Sequence, residues 1–161
     1  MPDDEGGIRV IDTDYLLCFD PGKTTGWASF EVHRDEPIEL IGSGMISGGV
    51  KGFVEWVDED LPLELEGASF TVVSELFIPD GRTRKPDLTP LKIEGVLSYL
   101  WPDWVGQRNV MKMHAPDEML KRLGLWKPGA GHDRDGIRHG LAYAKAQGHM
   151  PTIRWMHPPA E

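Results

Sequence analysis

The sequence of 161 residues contains a single cysteine, Cys18, within its most apolar stretch. One cysteine excludes an internal disulfide framework, and it indicates a buried thiol in a reducing cytoplasm. No apolar run approaches the roughly 18 residues that a membrane-spanning helix needs. The acidic start MPDDEGGIRV is also unlike a basic leader before an apolar core. We therefore expect a cytoplasmic protein without a membrane segment.

Positive charge is scarce, because 17 lysines and arginines face 26 aspartates and glutamates, for a net charge of −9. This excess of acidic residues argues against a nucleic-acid partner, because Lys and Arg side chains that neutralise phosphates supply much of the affinity for nucleic acids. The charges are unevenly placed, however. Residues 1–81 contain 18 acidic and 4 basic side chains, whereas residues 82–154 contain 7 acidic and 13 basic ones. The second half alone could hold an anionic ligand.

Apolar runs separated by turn residues predict the organisation of the chain. We expect one domain at residues 14–161, after an acidic N-terminal arm at residues 1–13. The segments YLLCF, GWASFEVH and IELIGSGMI are joined by short turns and predict a three-stranded antiparallel meander. A helix at about residues 50–60 then leads to a fourth strand, SFTVVSEL, and such a crossover favours parallel pairing.

Helical patterns dominate the second half of the sequence. LKIEGVLSYLW and HDRDGIRHGLAYAKAQG have apolar residues at helical spacing, and PDEMLKRLGLW predicts a short helix with Asp117 as its N-cap. Between them, NVMKMHAP predicts a short fifth strand. Strands that first form a meander and then alternate with helices predict an α/β fold with a mixed sheet.

Two carboxylates stand at the ends of predicted strands. Asp20 follows the apolar run LLCF before a Pro-Gly turn, and Glu75 follows the run FTVV almost directly. Each has an ordinary explanation, an Asx-type turn for Asp20 and a solvent-facing strand end for Glu75. In neighbouring strands, however, the two would repel and raise each other's proton affinity unless a cation lay between them. Mg²⁺ suits such oxygen ligands best, and Mn²⁺ would suit them too.

The strongest predicted helix begins with the segment HDRDGIRH. At about 100° per residue, His132, Asp135 and His139 share one face, opposite the apolar packing face. This stripe is therefore free for another purpose. A helix start with solvated histidines and a zinc site are the alternatives, although neither a cysteine pair nor HExxH accompanies the histidines. If the helix register differs, Asp133 instead of Asp135 is the candidate acid on this face.

Basic side chains cluster in a proline-rich loop after Glu75 and in the later helices. Each taken singly is an ordinary surface charge, but together they are candidates for phosphate contacts. These candidates are Lys23, Arg82, Arg84, Lys85, Lys92, Lys121 and Arg122, together with Arg108, Lys112 and Lys127. Phe77, just past Glu75, is either a packing residue or an apolar wedge for unstacked bases.

In their order and spacing, these motifs resemble the RuvC-type Holliday junction resolvases of the ribonuclease H-like superfamily. CFDPGKTTGWASF is similar to the family's first-strand motif, VVSELF to its glutamate strand, KIEGVLSYL to the next helix and HDRDGIRHGLAYA to its acidic C-terminal helix. The resemblance spans roughly Tyr15 to Gln147. Asp135, Arg138 and His139 match the Asp-x-x-Arg-His form of phage-borne members, which implies a bacterial or phage-infected cell.

This resemblance implies an α/β ribonuclease H-like fold with a five-stranded mixed sheet flanked by helices. It implies an endonuclease that resolves Holliday junctions and related branched DNA through a two-Mg²⁺ mechanism. Paired cuts in two strands need two active sites, so a homodimer is implied as well. The sequence departs from the family in a shorter DPG turn, in a longer loop from Pro79 to Pro90 and in its acidic first half.

Carried over to this sequence, the family pattern implies that Asp20, Glu75 and Asp135 are the acidic metal ligands. His132 falls where the family has either Asp or His, so it is expected to be a ligand or a proton relay. Asp133 and His139 would support these residues from nearby positions.

Three other classes of protein are alternatives to this one. A ribonuclease H-like or YqgF-like nuclease would act on flaps, RNA or RNA/DNA hybrids. An ATP-binding domain of the actin or sugar-kinase type would use DPGKTTGW as a phosphate-binding hairpin, but those proteins need two such domains. A non-catalytic DNA-binding module would have no use for three converging acids.

Overall fold

Five strands form one mixed sheet in the computed structural model, which describes residues 9–161. They are β1 Tyr15–Asp20, β2 Thr25–Glu31, β3 Glu39–Ile46, β4 Phe70–Glu75 and β5 Val105–Gln107. The order across the sheet is β3-β2-β1-β4-β5. β2 pairs antiparallel with both β1 and β3, whereas β4 pairs parallel with both β1 and β5. The prediction of a five-stranded mixed sheet is confirmed.

Helices cover both faces of the sheet. Two of them, α1 Gly49–Glu59 and α2 Thr89–Leu100, pack on one face. The other face carries α3 Asp117–Arg122, α4 His132–Ala146 and α5 Met150–Met156. Short 3₁₀ segments lie at Leu63–Leu65 and at Asn109–His114. Among residues 9–161, no helix is both long enough and apolar enough to cross a membrane.

The central strand β1 is buried on both faces, which explains its unbroken apolar sequence. Side chains alternate across a strand. Leu16 and Cys18 accordingly enter the core beneath α4, whereas Leu17 and Phe19 enter the core beneath α1 and α2. All four are completely buried. By the same alternation, the side chain of Asp20 lies on the α4 face.

Parallel pairing of β1 with β4 brings two strand ends together. Phe19 is the register partner of Ser74, so the next residues, Asp20 and Glu75, end the two strands side by side. Val73 packs in the core beneath α4, and Glu75, two residues later, therefore has its side chain on the same face. The sheet by itself thus places two carboxylates next to each other.

Glycines allow α4 to lie directly against β2. A Cβ atom added to Gly26 would lie 1.6 Å from the carbonyl oxygen of His132, the first residue of α4. A Cβ atom added to Gly136 would lie 2.9 Å from the backbone of β2. Gly26 is also the register partner of Asp20. The missing side chains therefore let the first turn of α4, which carries Asp135, sit beside the end of β1.

Two local predictions are wrong. The fifth strand is Val105–Gln107, and NVMKMHAP instead contains the 3₁₀ segment Asn109–His114. A strand of three residues is too short to show an alternating pattern. Asp117 is the first residue of α3, and Pro116 holds the N-cap position. Helix α5, which has a proline in its first turn, was not predicted from the sequence.

The predicted N-terminal arm lies largely outside the described residues, which exclude residues 1–8. The part that is described contacts the domain. Ile11 is 3% exposed and belongs to the core beneath α4, and Thr13 Oγ1 lies 2.7 Å from Thr71 Oγ1. The boundary at residue 13 stays a prediction.

Replacement of Gly26 by alanine should destabilise the protein, because the new methyl group would collide with the backbone of α4. We expect Gly26→Ala to lower the free energy of unfolding by about 2 kcal/mol or more, as overpacking does in other cores. Urea unfolding measures this. The matched control is Gly95→Ala in α2, where a Cβ meets nothing within 4 Å. The free energy of unfolding of this control should rise by about 0.5–1 kcal/mol, because alanine has a higher helix propensity than glycine. Equal stability of the two variants would contradict the close contact.

Candidate metal and catalytic site

Three carboxylates from three elements converge on one lysine. Asp20 ends β1, Glu75 ends β4 and Asp135 lies in the first turn of α4. The Nζ atom of Lys112 lies 3.6 Å from Asp20 Oδ2, 3.4 Å from Glu75 Oε1 and 3.6 Å from Asp135 Oδ2. The four side chains are between 13% and 26% exposed. The fold therefore brings together the three acids that the sequence singles out.

Crowding of these acids changes their protonation. Burial, together with the hydrogen bond and the charge of Glu75, raises the pKa of Asp20 to about 9, although Lys112 acts in the opposite direction. Burial also disfavours the charged amine of Lys112, but the surrounding carboxylates outweigh this and raise its pKa. One ammonium group thus does not offset burial and repulsion at Asp20, which retains its proton near pH 7.

Arg138 fixes the third carboxylate. Its Nη1 donates a hydrogen bond of 2.8 Å to Asp135 Oδ1, its Nε donates one of 2.9 Å to the carbonyl oxygen of Ala115, and its Nη2 donates to Asp117. Burial disfavours the charged form of Asp135, but Arg138 and Lys112 outweigh it and lower the pKa of this carboxyl. Asp135 is therefore ionised beside a protonated Asp20.

His139 is a buried member of the same cluster. Asp20, Glu75 and His139 each offer a ligand atom within 4.8 Å of the others. The Nε2 amide of Gln107 donates to the carbonyl oxygen of His139 at 2.9 Å and faces its Nδ1 at 3.2 Å. An NH₂ group has no acceptor, so Nδ1 accepts and the ring proton is on Nε2. Burial lowers the pKa of His139 to about 4, so the ring is neutral at pH 7.

His132 and Asp133 lie at the start of α4, and the group of close ligand atoms around Asp20 contains His139 instead. The carbonyl oxygen of His132 lies against Gly26, and Asp133 Oδ1 accepts a hydrogen bond of 3.0 Å from the backbone of Arg134. The prediction that the face with His132, Asp135 and His139 is free of packing is wrong, because His139 is completely buried. Roles for His132 and Asp133 in catalysis stay predictions.

Most of the predicted phosphate contacts lie on loops and helix starts around this end of the sheet. Lys23 is in the turn after β1, and the backbone N–H of Gly49, at the start of α1, donates to its carbonyl oxygen. Hydrogen bonds from Thr89 lower the pKa of Asp87, and the nearby charges of Lys23 and Lys92 add to this effect. The loop after β4 is thus close to both lysines. The exposed basic residues here are Lys23, Arg82, Arg84, Lys85 and Lys92.

Lys121 and Arg122, on α3, make contacts within the protein. The Nζ atom of Lys121 lies 4.6 Å from the centre of the Trp126 ring. Arg122 donates hydrogen bonds to the carbonyl oxygens of Trp155 and Met156 at the end of α5. Arg122 thus has a clear structural partner, and a role in DNA binding stays a prediction for both residues.

Phe77 lies beside the acids in a half-buried position. Its backbone N–H donates a hydrogen bond of 2.5 Å to Glu94 Oε1. Together with Glu75, Ile78 and Asn109, it lines a cleft of about 280 Å³. The side chain is therefore next to the cluster and close to solvent, as a wedge would need to be, although that role stays a prediction.

The donor set suits a hard divalent cation. Three carboxylates from rigid elements supply the oxygen ligands that Mg²⁺ and Mn²⁺ prefer. The raised pKa of Asp20 indicates that the cluster needs more positive charge than Lys112 and Arg138 provide. Nδ1 of His139 is engaged by Gln107, and its Nε2 atom is buried without a hydrogen-bond partner among the described residues. No cysteine lies in the cluster, which agrees with an oxygen-ligand site rather than a zinc site.

Sequence reasoning missed the roles of Lys112 and Gln107. Lys112 stands among the candidate phosphate contacts, yet its ammonium group lies within the acidic cluster. It belongs to the 3₁₀ segment Asn109–His114, which has no periodic pattern that marks an inward-facing residue. Gln107 ends β5, whose position the sequence did not predict. Its pairing with Glu75 across the sheet could not be anticipated without that strand.

The strand order, the helical layers and the acids at the ends of β1 and β4 define a ribonuclease H-like α/β fold of the RuvC kind. Among solved structures, the chain is similar to Thermus thermophilus RuvC, with 14% identity and a TM-score of 0.59 over 84% of this chain and 97% of that one. It is likewise similar to T. thermophilus RuvC in complex with a Holliday junction substrate, with 14% identity and a TM-score of 0.60 over 85% and 97% of the two chains.

Comparison of the sequence with protein families and with curated proteins finds no match. At 14% identity, the structural likeness establishes the fold and leaves the activity to be argued from the site.

Replacement of the Asp20 carboxyl by a neutral amide should stabilise the metal-free protein above neutral pH, because an amide needs no proton to become uncharged. Because the pKa of Asp20 is raised to about 9, the folded state binds more protons than the unfolded state from about pH 4 to about pH 9, and stability falls as pH rises through that window. In EDTA, we expect Asp20→Asn to be more stable than the wild type at pH 8 by about 1–3 kcal/mol, with little difference at pH 4.5.

Urea unfolding at the two pH values checks this prediction. Asp58→Asn is the matched control, because Asp58 is an exposed carboxylate on α1, and it should shift stability by the same small amount at both pH values. If Asp20→Asn behaves like this control, the carboxylates do not repel each other as described.

Proposed function

We propose that this protein is a metal-dependent endonuclease that cleaves Holliday junctions and related branched DNA. The observation that carries the proposal is the convergence of Asp20, Glu75 and Asp135 at one end of a RuvC-like sheet. Rigid elements on a buried core hold these carboxylates, and such acids serve metal-assisted phosphodiester hydrolysis. The solved relative with a junction substrate supports this choice over other reactions that such acids could serve.

Asp20, Glu75 and Asp135 would hold the metal, which we propose to be Mg²⁺, with Mn²⁺ as an alternative. When bound, a divalent ion of this kind lowers the pKa of water and offsets negative charge on a phosphate group. Arg138 keeps Asp135 ionised and oriented toward the cluster. Gln107 holds the neutral ring of His139 against the buried side of the site. His132, one helical turn before Asp135, is proposed as a proton relay.

The surroundings of the cluster support a polyanionic substrate. An open groove of about 740 Å³ runs past Lys112, Asp135 and Arg138. On the other side, the exposed loop between β4 and α2 carries Arg82 and Lys85. We propose that Arg82 and Lys85, with the other exposed basic residues near this end of the sheet, hold phosphates beside the cut and that Phe77 wedges at the branch point.

A homodimer is part of the proposal, because paired cuts need two sites. Several apolar side chains on the outer face of α2 are unusually exposed, with Tyr99 at 85% and Leu91 at 48%. Exposed apolar side chains of this kind support an interface with a second copy.

Cleavage of branched DNA tests the proposal. With Mg²⁺, we expect the protein to cut a synthetic four-way junction, and Asp20→Asn to reduce cutting by at least about 10³-fold while it still binds the junction, because a metal ligand is lost. Asp58→Asn is the control and should cut normally. The same assay includes a flap, an RNA/DNA hybrid and ATP. Exclusive cutting of flaps or hybrids would favour the ribonuclease H-like or YqgF-like alternative, and hydrolysis of ATP alone would refute the nuclease.

The basic loop should contribute to affinity through phosphate contacts. We expect the Arg82→Gln/Lys85→Gln double variant to weaken junction binding and to reduce the slope of log K against log salt by about 1–2, since each phosphate contact contributes about 0.9. Fluorescence anisotropy over a range of KCl concentrations measures both quantities. The control, Lys51→Gln/Arg154→Gln, removes the same charge from other exposed positions and should keep the wild-type slope. Identical slopes for the two variants would show that the loop does not contact DNA phosphates.

A further inference from the structure

Lys112 contacts the same carboxylates that would hold a metal. Its Nζ atom lies 3.6 Å from Asp20 Oδ2, 3.4 Å from Glu75 Oε1 and 3.6 Å from Asp135 Oδ2. An ammonium group within 4 Å of three carboxylates from three different elements is a cation at the centre of the cluster, not at its rim. A lysine whose task was to bind a phosphate in the groove would have its charge directed away from these acids.

The ammonium group and a divalent ion cannot share this position. A Mg²⁺ ion lies about 2.0–2.1 Å from its oxygen ligands and requires near-octahedral geometry around itself. An ammonium group about 3.5 Å from one oxygen on each of the same three carboxylates takes up the space between them. The two cations also repel each other. Metal binding to these oxygens therefore requires that Lys112 withdraw.

The structure allows Lys112 to withdraw, whereas it does not allow Arg138 to do so. A lysine is a point charge on a flexible stem, and Lys112 also lines the open groove of about 740 Å³ beside the cluster. Arg138 is held by Ala115, Asp117 and Asp135 through its three nitrogen atoms. Of the two cations at the site, Lys112 is the exchangeable one.

We propose that the Lys112 ammonium group and the divalent metal are alternative occupants of one carboxylate cluster. Without metal, Lys112 holds Asp20, Glu75 and Asp135 together. When metal binds, Lys112 leaves for the adjoining groove. The exchange lowers the apparent metal affinity, because only the fraction of molecules with Lys112 withdrawn is ready to bind. This inference rests on the metal-binding part of the proposed function.

Substitution of Lys112 by methionine tests the exchange, because it keeps the length of the side chain and removes the charge. Isothermal titration with Mn²⁺ should show affinity about tenfold higher for Lys112→Met than for the wild type, as expected if Lys112 occupies the cluster about nine-tenths of the time. In EDTA, the melting temperature of this variant should fall, and Mn²⁺ should raise it by more than it raises that of the wild type. Lys112→Arg keeps the charge and should not gain affinity.

Lys51→Met is the matched control, because Lys51 is an exposed lysine on α1 whose side chain is 88% exposed. It should leave both the metal affinity and the melting temperature unchanged. Equal or lower Mn²⁺ affinity in Lys112→Met than in the wild type would overturn the exchange and leave the proposed nuclease intact. Higher affinity in a protein that cuts no nucleic acid would support the exchange and refute the nuclease. Absence of Mn²⁺ binding in all variants would overturn both.

A second measurement needs no substitution, and it applies even if Lys112→Met does not fold. In protein labelled with ¹⁵N at the lysine side chains, a partly buried ammonium group paired with carboxylates exchanges its protons slowly enough to give its own signal. Addition of Mg²⁺ should remove or strongly shift the signal of Lys112 and leave that of the other lysines in place. A signal that survives saturating Mg²⁺ unchanged would overturn the proposal.

Discussion

Repulsion between carboxylates at the ends of two adjacent parallel strands is the constraint on which this site depends. β1 and β4 are held in register by a core that is buried on both faces, so Asp20 and Glu75 cannot move apart when both are charged. Burial disfavours the charged form of Asp20, the hydrogen bond and the charge of Glu75 add to this, and the pKa of Asp20 rises to about 9. Positive charge must therefore accompany these carboxylates, and without a metal it comes from the ammonium group of Lys112 together with a proton on Asp20. The cations present control both the stability and the chemistry of the site.

The contact between α4 and β2 adds the third acid to this cluster. Side chains normally separate a helix from the sheet on which it packs. Here Gly26 and Gly136 remove two of those side chains, and the carbonyl oxygen of the first α4 residue lies where a Cβ atom would otherwise be. The same approach brings Asp135 to Lys112 and buries His139 beside Gln107. A backbone contact thus sets the geometry of a site whose chemistry belongs to side chains.

Much of the fold and part of the site could be predicted from the sequence. The strands β1 to β4, the helices α1, α2 and α4, and the three converging acids all follow from strong local patterns, such as an apolar run that ends in a carboxylate. β5 and the role of Lys112 could not be predicted. β5 is too short for a periodic signal, and Lys112 lies on a 3₁₀ segment whose direction depends on its packing against α4. His139, predicted on the free face of its helix, is instead buried against Gln107 at the end of β5.

The sequence by itself determined which residues end the strands and begin α4, because hydrophobic periodicity and turn chemistry act over a few neighbouring residues. It therefore determined the candidate acids Asp20, Glu75 and Asp135. Only the tertiary structure decided their distances, their protonation and the cation that they contact. Those properties arise between residues that are far apart in the chain. Charge interactions depend on separation and burial, and neither quantity is present in a linear pattern of residue types. Lys112 is the clearest case, because its charge is visible in the sequence and its position among the acids is not.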